Sequence, residues 1–246
     1  MPKTGKEKGE ETRRLIIAID GPAGSGKSTT AKLLAERLGY HYLDTGAMYR
    51  AVTLKVIREG ISRGEKDRVA ELVDRTRIEL RYVGGKMRVF LDGEDVTELI
   101  RSPEVDREIS WVSQIPQVRR RMVQLQREMA RGGGVIAEGR DMGTVVFPDA
   151  DLKIYLTATA EERGKRRWLE LRKRGIQLTL EEVVDEIKRR DRMDISRKIS
   201  PLRKAKDAVL LNTTDLSVRD QVEAIARLVR RIVRKGKHSD MVRQRT

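Results

Sequence analysis

The residues best suited to chemistry form a glycine-rich segment near the N-terminus. It matches the pattern G-x-x-x-x-G-K-[ST] at every position and comprises Gly21, Pro22, Ala23, Gly24, Ser25, Gly26, Lys27 and Ser28. Glycines allow backbone N–H groups to wrap a phosphate, and a helix N-terminus after them favours an anion. We expect this phosphate loop and the next residue, Thr29, to bind ATP, with Lys27 reaching the β- and γ-phosphates and Ser28 offering its hydroxyl to Mg²⁺.

Other parts of the chain must decide how a bound nucleotide is used, because many activities share a phosphate loop. A GTPase would normally carry an N-K-x-D motif, and the nearest candidate, residues 212–215 (NTTD), lacks the lysine. A motor or helicase would need more chain than these 246 residues for its coupling elements. A small kinase is therefore the simplest interpretation.

The elements around the phosphate loop alternate between strand and helix. Residues 15–20 (LIIAID) form a continuous apolar run, which is typical of a strand buried on both faces of a parallel sheet. A helix that ends at Gly39 is expected next, because glycine often terminates helices. Further strands are predicted at 40–43, 135–137, 152–156 and 208–212, and a second helix at 48–57. This order predicts an α/β P-loop NTPase fold with three layers, in which helices flank a parallel sheet.

Two segments depart from that alternation. Residues 63–98 are predicted to form a small antiparallel β insertion, since glycine turns separate short apolar runs there. Helical periodicity resumes over 105–129, interrupted by Pro116, and a helical lid is expected at about 160–200. The predicted units are a charged leader (1–14), a kinase domain (15–232) that contains the insertion and the lid and ends in a helix, and a basic tail (233–246).

The composition limits the chemistry that is open to this chain. Charged residues make up 37% of it, cysteine is absent and there are two histidines. Thiol catalysis, disulfides and cysteine-ligated zinc are thereby excluded, so any metal must use oxygen ligands. No apolar run is long enough to span a membrane and no signal-peptide pattern is present, so we expect a cytoplasmic protein. No conspicuous unpaired apolar stripe argues for a dimer, and we expect a monomer.

The net charge of +15 raises the question of nucleic-acid binding. Residues 227–246 hold eight Lys/Arg against one acidic residue, so almost half of the excess lies in the last helix and tail. Arginine-rich stretches at 163–174 and 188–198 hold much of the rest, which suits a protein that handles two anionic nucleotides. The alternative for the tail is a solvated surface of thermophile type. Because the basic residues lack interleaved aromatics for base stacking, nucleic acid is not an expected partner.

Three further segments carry a resemblance to a known family. Residues 44–50 (DTGAMYR), 138–148 (EGRDMGTVVFP) and 189–197 (RRDRMDISR), in this order and spacing, resemble those of bacterial cytidylate kinase, and the likeness runs from about residue 15 to about 231. It implies a nucleoside monophosphate kinase core with a three-stranded insertion near the acceptor. It also implies that ATP, with Mg²⁺, phosphorylates CMP or dCMP.

The resemblance assigns the acceptor-binding residues. The implied set for CMP is Thr45, Arg50, Ser110, Arg119, Arg140, Asp141, Arg190, Asp194 and Arg197. Arg50, Arg140 and Arg197 would clamp the acceptor phosphate, for which forked, charge-assisted hydrogen bonds are well suited. Thr45 stands where relatives often have serine and retains the hydroxyl.

The same resemblance implies how the base and the sugar are bound. Asp141 and Arg119, helped by Ser110, would contact cytosine, whose edge offers an amine donor beside two acceptors. Asp194 would accept hydrogen bonds from the ribose hydroxyls. Taken without the motif, Arg190 and Asp194 could be an ordinary pair on a surface helix, and Ser110 could cap a helix or be merely exposed.

A nucleoside monophosphate needs no general base, because its phosphate is already ionised near neutral pH. Catalysis is then positioning plus charge stabilisation by Mg²⁺, Lys27 and arginines such as Arg140. We expect lid closure to bring Arg163 onto ATP, where it would stabilise the transition state. Glu138, at a strand end where relatives also have Asp, is a further candidate beside Ser28 for binding Mg²⁺ or its waters.

Two rival functions stay open at this point. A different small P-loop kinase, of thymidylate or shikimate type, would not need the pair of Asp141 and Arg119. A nucleic-acid-binding protein would use the phosphate loop and the basic tail together and would bind oligonucleotides in a strongly salt-dependent way. Within the kinase interpretation, the sequence does not rank CMP, dCMP and UMP.

Overall fold

The structure is a computed structural model that describes residues 14–173 and 175–243. The predicted leader lies outside the described residues except for Arg14, and so does the end of the predicted tail. The strands are β1 (Ile16–Asp20), β2 (His41–Asp44), β3 (Ile78–Val83), β4 (Lys86–Leu91), β5 (Glu94–Asp95), β6 (Val135–Gly139), β7 (Leu152–Thr157) and β8 (Val209–Asn212). The helices are α1 (Lys27–Leu38), α2 (Thr45–Arg58), α3 (Lys66–Asp74), α4 (Pro103–Val112), α5 (Pro116–Met129), α6 (Ala160–Lys173), α7 (Leu180–Ile195) and α8 (Val218–Arg243).

A parallel sheet forms the middle layer. Its strand order is β2-β6-β1-β7-β8, and every neighbouring pair runs parallel. Ile17 and Ile19 of β1 pack with α1 and α8 on one face, whereas Ala18 packs with α2 and α5 on the other. Because both faces of β1 are covered, its sequence is a continuous apolar run. The predicted three-layer α/β architecture is confirmed.

The insertion contains more than the predicted strands. Strands β3, β4 and β5 form an antiparallel sheet in that order, as expected. Residues 66–74, within the range predicted as an antiparallel insertion, are instead helix α3, which buries Val69, Leu72 and Val73. Their spacing of three and one is helical, so the signal was present in the sequence but was overridden by the turn-rich strands beside it.

The predicted helix boundaries follow local chemistry. Gly39 ends α1 at φ 64°, and its N–H group bonds to the carbonyls of Ala35 and Glu36. Pro116 starts α5 after the break that it was predicted to cause. Thr179 and Glu182 form a reciprocal capping box at the start of α7. The terminal helix α8 runs to Arg243, so part of the predicted basic tail is helical.

The carboxyl ends of β1, β2 and β6 meet at one edge of the sheet, where open α/β folds place their ligands. The phosphate loop leaves β1 at this edge, and the chain turns into α2 after β2. In the part of the chain that the structure describes, no helix is both long and apolar enough to cross a membrane.

Candidate active site

The phosphate loop joins β1 to α1 in a conformation that needs glycine. Gly21, Gly24 and Gly26 have φ values of 150°, 74° and 92°. A Cβ atom at Gly21 would lie 2.0 Å from the Leu156 carbonyl oxygen, so a side chain cannot fit there. No side chain caps the first turn of α1, which leaves its backbone N–H groups to an anionic ligand.

Lys27 is the buried cation of this loop. Its side chain is almost fully enclosed, and Nζ donates to the Pro22 carbonyl oxygen at 2.7 Å. Burial, and then the nearby positive charge of Arg140, lower the pKa of Lys27 to about 7, although Glu138 and Asp194 oppose the shift. An anionic ligand beside Nζ would reverse this shift.

A pair of oppositely charged side chains lies at the far end of the cleft. Arg119 of α5 donates to Asp141, which follows β6, and the two side chains are 5% and 4% exposed. Arg119 also donates to the Ser113 carbonyl at 3.2 Å, and its guanidinium lies 5.5 Å from the centre of the Tyr49 ring. Because the pair is enclosed, its hydrogen-bond donors and acceptors have fixed positions. They can bind the polar edge of one ligand.

A second cluster lies between that pair and the phosphate loop. Asp194 of α7 is 1% exposed and accepts hydrogen bonds from Arg140, at 2.7 Å, and from Arg197. Burial opposes ionisation, but these two guanidinium groups keep the pKa of Asp194 below its ordinary value. Burial, followed by repulsion from Arg140, lowers the pKa of Arg190 to about 10. A surface pair of Arg190 and Asp194 is therefore not what the structure has.

Arg50 extends this group of cations from α2. It donates to the carboxylate of Asp106 at 2.6 Å and to the Ile100 carbonyl at 3.3 Å. The hydroxyl of Thr45 donates to the Glu138 carbonyl at 2.6 Å, and Ser110 faces the same space from α4. The nine residues predicted for the acceptor all line one cleft, together with Lys27, Ser28 and Thr29. The cleft volume is about 1520 Å³. That exceeds the roughly 300–1,000 Å³ of a single-ligand pocket and leaves room for two.

The residues suited to a divalent cation are oxygen donors at the sheet edge. Ser28 and Glu138 both line the cleft, and Glu138 accepts a hydrogen bond from the Tyr42 hydroxyl at 2.7 Å. Within the described ranges, no cluster of three or more His, Cys, Asp or Glu side chains could hold a metal on its own. This donor set fits Mg²⁺, which commonly uses one or two protein ligands and takes the rest from phosphates and water.

Comparison with known proteins decides the family. The sequence model of cytidylate kinase matches residues 17–231. The chain belongs to the cytidylate kinase family. A cytidylate kinase of Caldicellulosiruptor bescii is 50% identical over 222 residues, which are 90% of this chain and 98% of that protein. One of Caldanaerobacter subterraneus is 52% identical over 87% of this chain and 94% of that protein.

Membership of this family confirms the resemblance that the sequence predicted. It also confirms the prediction of an ATP-dependent kinase of the nucleoside monophosphate type. A cytidylate kinase of Chlorobaculum tepidum is 51% identical over 91% of this chain and 96% of that protein. A solved shikimate kinase of Bacteroides thetaiotaomicron has a TM-score of 0.45 and 12% identity over 88% of this chain and 98% of that chain. That likeness is too distant to bear on the acceptor.

The position of Arg163 differs from that expected of a residue that contacts the transferred phosphoryl group. Its guanidinium is buried behind the phosphate loop, where it bonds to Asp191, to the Ala158 carbonyl and, at 3.1 Å, to the Ala23 carbonyl. It does not line the cleft, whereas Arg166 and Arg167 do. In this conformation Arg163 is placed to hold the loop rather than to contact ATP, and its transition-state role stays a prediction.

Sequence reasoning missed Asp20, which connects the two ends of the cleft. This buried carboxylate ends β1, directly before the phosphate loop, and accepts from the backbone N–H groups of Met142 and Gly143, each at 2.8 Å. These N–H groups belong to the two residues directly after Asp141, so Asp20 fixes the backbone that carries the Asp141 side chain. A carboxylate at the end of a buried strand was a usable signal, since burial of such a group requires partners.

Asp44 was also missed as a capping residue. It ends β2 and accepts from the Ala47 N–H at 2.9 Å. This cap starts α2 and thereby directs Arg50 toward the cleft.

The loop after β8 was missed for a different reason. Thr214, Leu216 and Ser217 line the cleft beside the phosphate loop, but their residue types carry no recognisable motif.

The shifted pKa of Lys27 predicts that ATP binding takes up a proton. At pH 8 a group with a pKa of about 7 is mostly neutral, and the phosphates would restore its charge, so we expect uptake of about one proton per ATP. Calorimetric titration with MgATP, in buffers that differ in ionisation enthalpy, measures this number. The matched control is the same titration at pH 6, where Lys27 already carries its proton and little uptake is expected. Equal uptake at both pH values would contradict the prediction.

Proposed function

We propose that this enzyme transfers the γ-phosphoryl group of ATP to CMP or dCMP, which yields ADP and CDP or dCDP. The observation that carries the acceptor assignment is the buried pair of Arg119 and Asp141 at the far end of the cleft. A carboxylate accepts from the exocyclic amine of cytosine, and a guanidinium donates to the ring nitrogen and carbonyl. Thymine and shikimate have no need of this combination.

The donor end of the cleft supports ATP. The phosphate loop offers backbone N–H groups and the buried Lys27 to the β- and γ-phosphates. Ser28 and Glu138 are the residues that would hold Mg²⁺ or its waters. When bound, the ion would neutralise negative charge on the phosphates. Nζ of Lys27 is held within the loop by its hydrogen bond to the Pro22 carbonyl.

The middle of the cleft suits the acceptor phosphate. Arg50, Arg140 and Arg197 converge there, and each is held by a carboxylate, Asp106 or Asp194. Pre-paired guanidinium groups are oriented before the ligand arrives, so the phosphate meets an ordered set of donors. Asp194 remains ionised beside them and is the proposed acceptor for the sugar hydroxyls.

Transfer then depends on alignment rather than on proton abstraction, because the acceptor phosphate is already ionised. The helices α6 and α7 form the proposed lid, and Arg167 of α6 lies 3.9 Å from Asp106 of α4 across the cleft. Closure of the lid at this contact would exclude water from the acceptor phosphate and from the γ-phosphate of ATP. Among the acceptor-side cations, Arg140 has the charge that lowers the pKa of Lys27 most. We propose that Arg140 stabilises the transferring phosphoryl group.

The acceptor assignment is tested by ADP release from ATP and Mg²⁺ with a panel of separate acceptors. The panel is CMP, dCMP, UMP, AMP, GMP, dTMP and shikimate. We expect turnover with CMP and dCMP and little with the purines, dTMP or shikimate. Equal turnover with AMP or shikimate would overturn the assignment. Cytoplasmic location and a monomeric chain stay predictions.

A further inference from the structure

Tyr42 contacts Glu138, one of the two candidate Mg²⁺ residues. It lies on β2 and is 8% exposed, and its hydroxyl donates to Oε1 of Glu138 at 2.7 Å. A tyrosine phenol keeps its proton at neutral pH, so this hydroxyl has a proton to donate.

The Tyr42 hydroxyl determines how Glu138 presents its carboxylate. A phenol has one proton, and Tyr42 gives it to Oε1 of Glu138. The carboxylate is thereby held in one orientation, with its second oxygen left for a cation or its waters.

The backbone of Tyr42 is held by a residue of the three-stranded sheet β3-β4-β5. The hydroxyl of Tyr82, on β3, accepts from the Tyr42 N–H at 2.7 Å and donates to the Tyr42 carbonyl at 3.1 Å. Strand β2 lies at the edge of the five-stranded sheet, so these backbone groups have no strand beside them on that side. The ring of Tyr82 also lies 5.9 Å from that of His41. The insertion therefore contacts the residue that orients Glu138 at the candidate metal site.

We propose that Tyr42 is a positioning residue for the Mg²⁺ site, which orients Glu138 through its hydroxyl, and that Tyr82 links it to the three-stranded sheet. The inference rests on the proposed function, because it presumes MgATP as the donor. It extends that function by connecting the insertion on the acceptor side to the metal site on the donor side.

The test is the variant Tyr42→Phe, which removes the hydroxyl and keeps the buried ring. Mn²⁺ binding to the ATP complex, without acceptor, is measured from the electron paramagnetic resonance signal of free Mn²⁺. Loss of a group that orients metal ligands typically weakens metal binding 10- to 100-fold, and we expect a rise of about tenfold in the Mn²⁺ dissociation constant. The Mg²⁺ concentration that gives half-maximal turnover should rise in parallel, with KM for the acceptor little changed.

The matched control is Tyr40→Phe. The Tyr40 hydroxyl is also hydrogen-bonded, since it accepts from the Leu15 N–H at 3.2 Å, but its partner is the backbone and not Glu138. Unchanged Mn²⁺ affinity in Tyr42→Phe, or an equal loss in Tyr40→Phe, would overturn the positioning role. In a Glu138→Gln background, the effect of Tyr42→Phe should shrink if it acts through Glu138, whereas full additivity would argue against that route.

Tyr82→Phe tests the link to the insertion. We expect weaker Mn²⁺ binding, by a smaller factor than in Tyr42→Phe, because the Tyr42 hydroxyl itself remains. Wild-type Mn²⁺ affinity in Tyr82→Phe would overturn the link and leave the role of Tyr42 standing. Since these measurements use no acceptor, failure of the wild-type enzyme to phosphorylate CMP would refute the proposed acceptor without affecting them.

Discussion

Replacing Lys27 by methionine is expected to lower kcat by about 10³-fold, as removal of a single charge-stabilising donor does in other enzymes. Lys27 is the cation that the structure holds inside the phosphate loop, and nothing else in the loop carries a positive charge. Methionine has a similar length and no charge, so the variant keeps the packing and loses the electrostatic stabilisation. Steady-state turnover with CMP, at saturating ATP and Mg²⁺, measures the effect.

Folding of this variant should not be impaired. Burial lowers the pKa of Lys27 to about 7, which means that enclosing this charge costs the folded protein stability. Without the charge, the thermal unfolding midpoint of the ligand-free protein is expected at or above that of wild type. The control is Lys32→Met, on the exposed side of α1, which should alter neither turnover nor the midpoint. Near-normal turnover of Lys27→Met would refute the role of Lys27.

Asp141→Asn is the second change from which we expect a large effect. Loss of the carboxylate leaves Arg119 without its buried counter-charge and removes an acceptor for the cytosine amine. We expect kcat/KM for CMP to fall by about 10²-fold, equivalent to ~3 kcal/mol. The KM for ATP should change little, because Asp141 lies at the acceptor end of the cleft. Initial rates with either substrate varied would measure both values.

The same variant should also shift base preference. The asparagine amide can donate to the uracil carbonyl that stands where cytosine has its amine, so the ratio of CMP to UMP turnover is expected to fall. Asp149→Asn, an exposed acidic position in the loop after the same segment, is the matched control and should leave the ratio unchanged. An Asp141→Asn enzyme that kept the wild-type ratio would exclude Asp141 from base recognition.

Stability must be measured alongside, because breaking a buried ion pair typically costs about 3–5 kcal/mol. Urea unfolding of Asp141→Asn is expected to show a lower midpoint than wild type. Kinetic assays at 25 °C therefore need the folded fraction to be verified by circular dichroism. A loss of CMP activity with an unchanged KM for ATP distinguishes lost recognition from partial unfolding.

The sequence by itself determined the features that depend on neighbours along the chain. The phosphate loop, the apolar run of β1, the capping box of α7 and the stop at Gly39 are all set by residue types at short spacings. The resemblance to bacterial cytidylate kinase, which three segments carry, added the acceptor residues, each of which lines the cleft. Helix α3 was mistaken for part of the β insertion, because its short helical pattern lay between strand signals.

Only the tertiary structure decided which distant groups meet. Asp20 and Met142, Arg50 and Asp106, and Tyr42 and Glu138 are each separated by more than fifty residues, so no local pattern pairs them. Arg163 shows the same limit, since its place in the expected lid predicted a cation that closure brings onto ATP, whereas in this conformation the packing of α6 against the phosphate loop buries it. Spacing along the chain specifies helices and loops, whereas partners across the sheet are selected by how the layers pack.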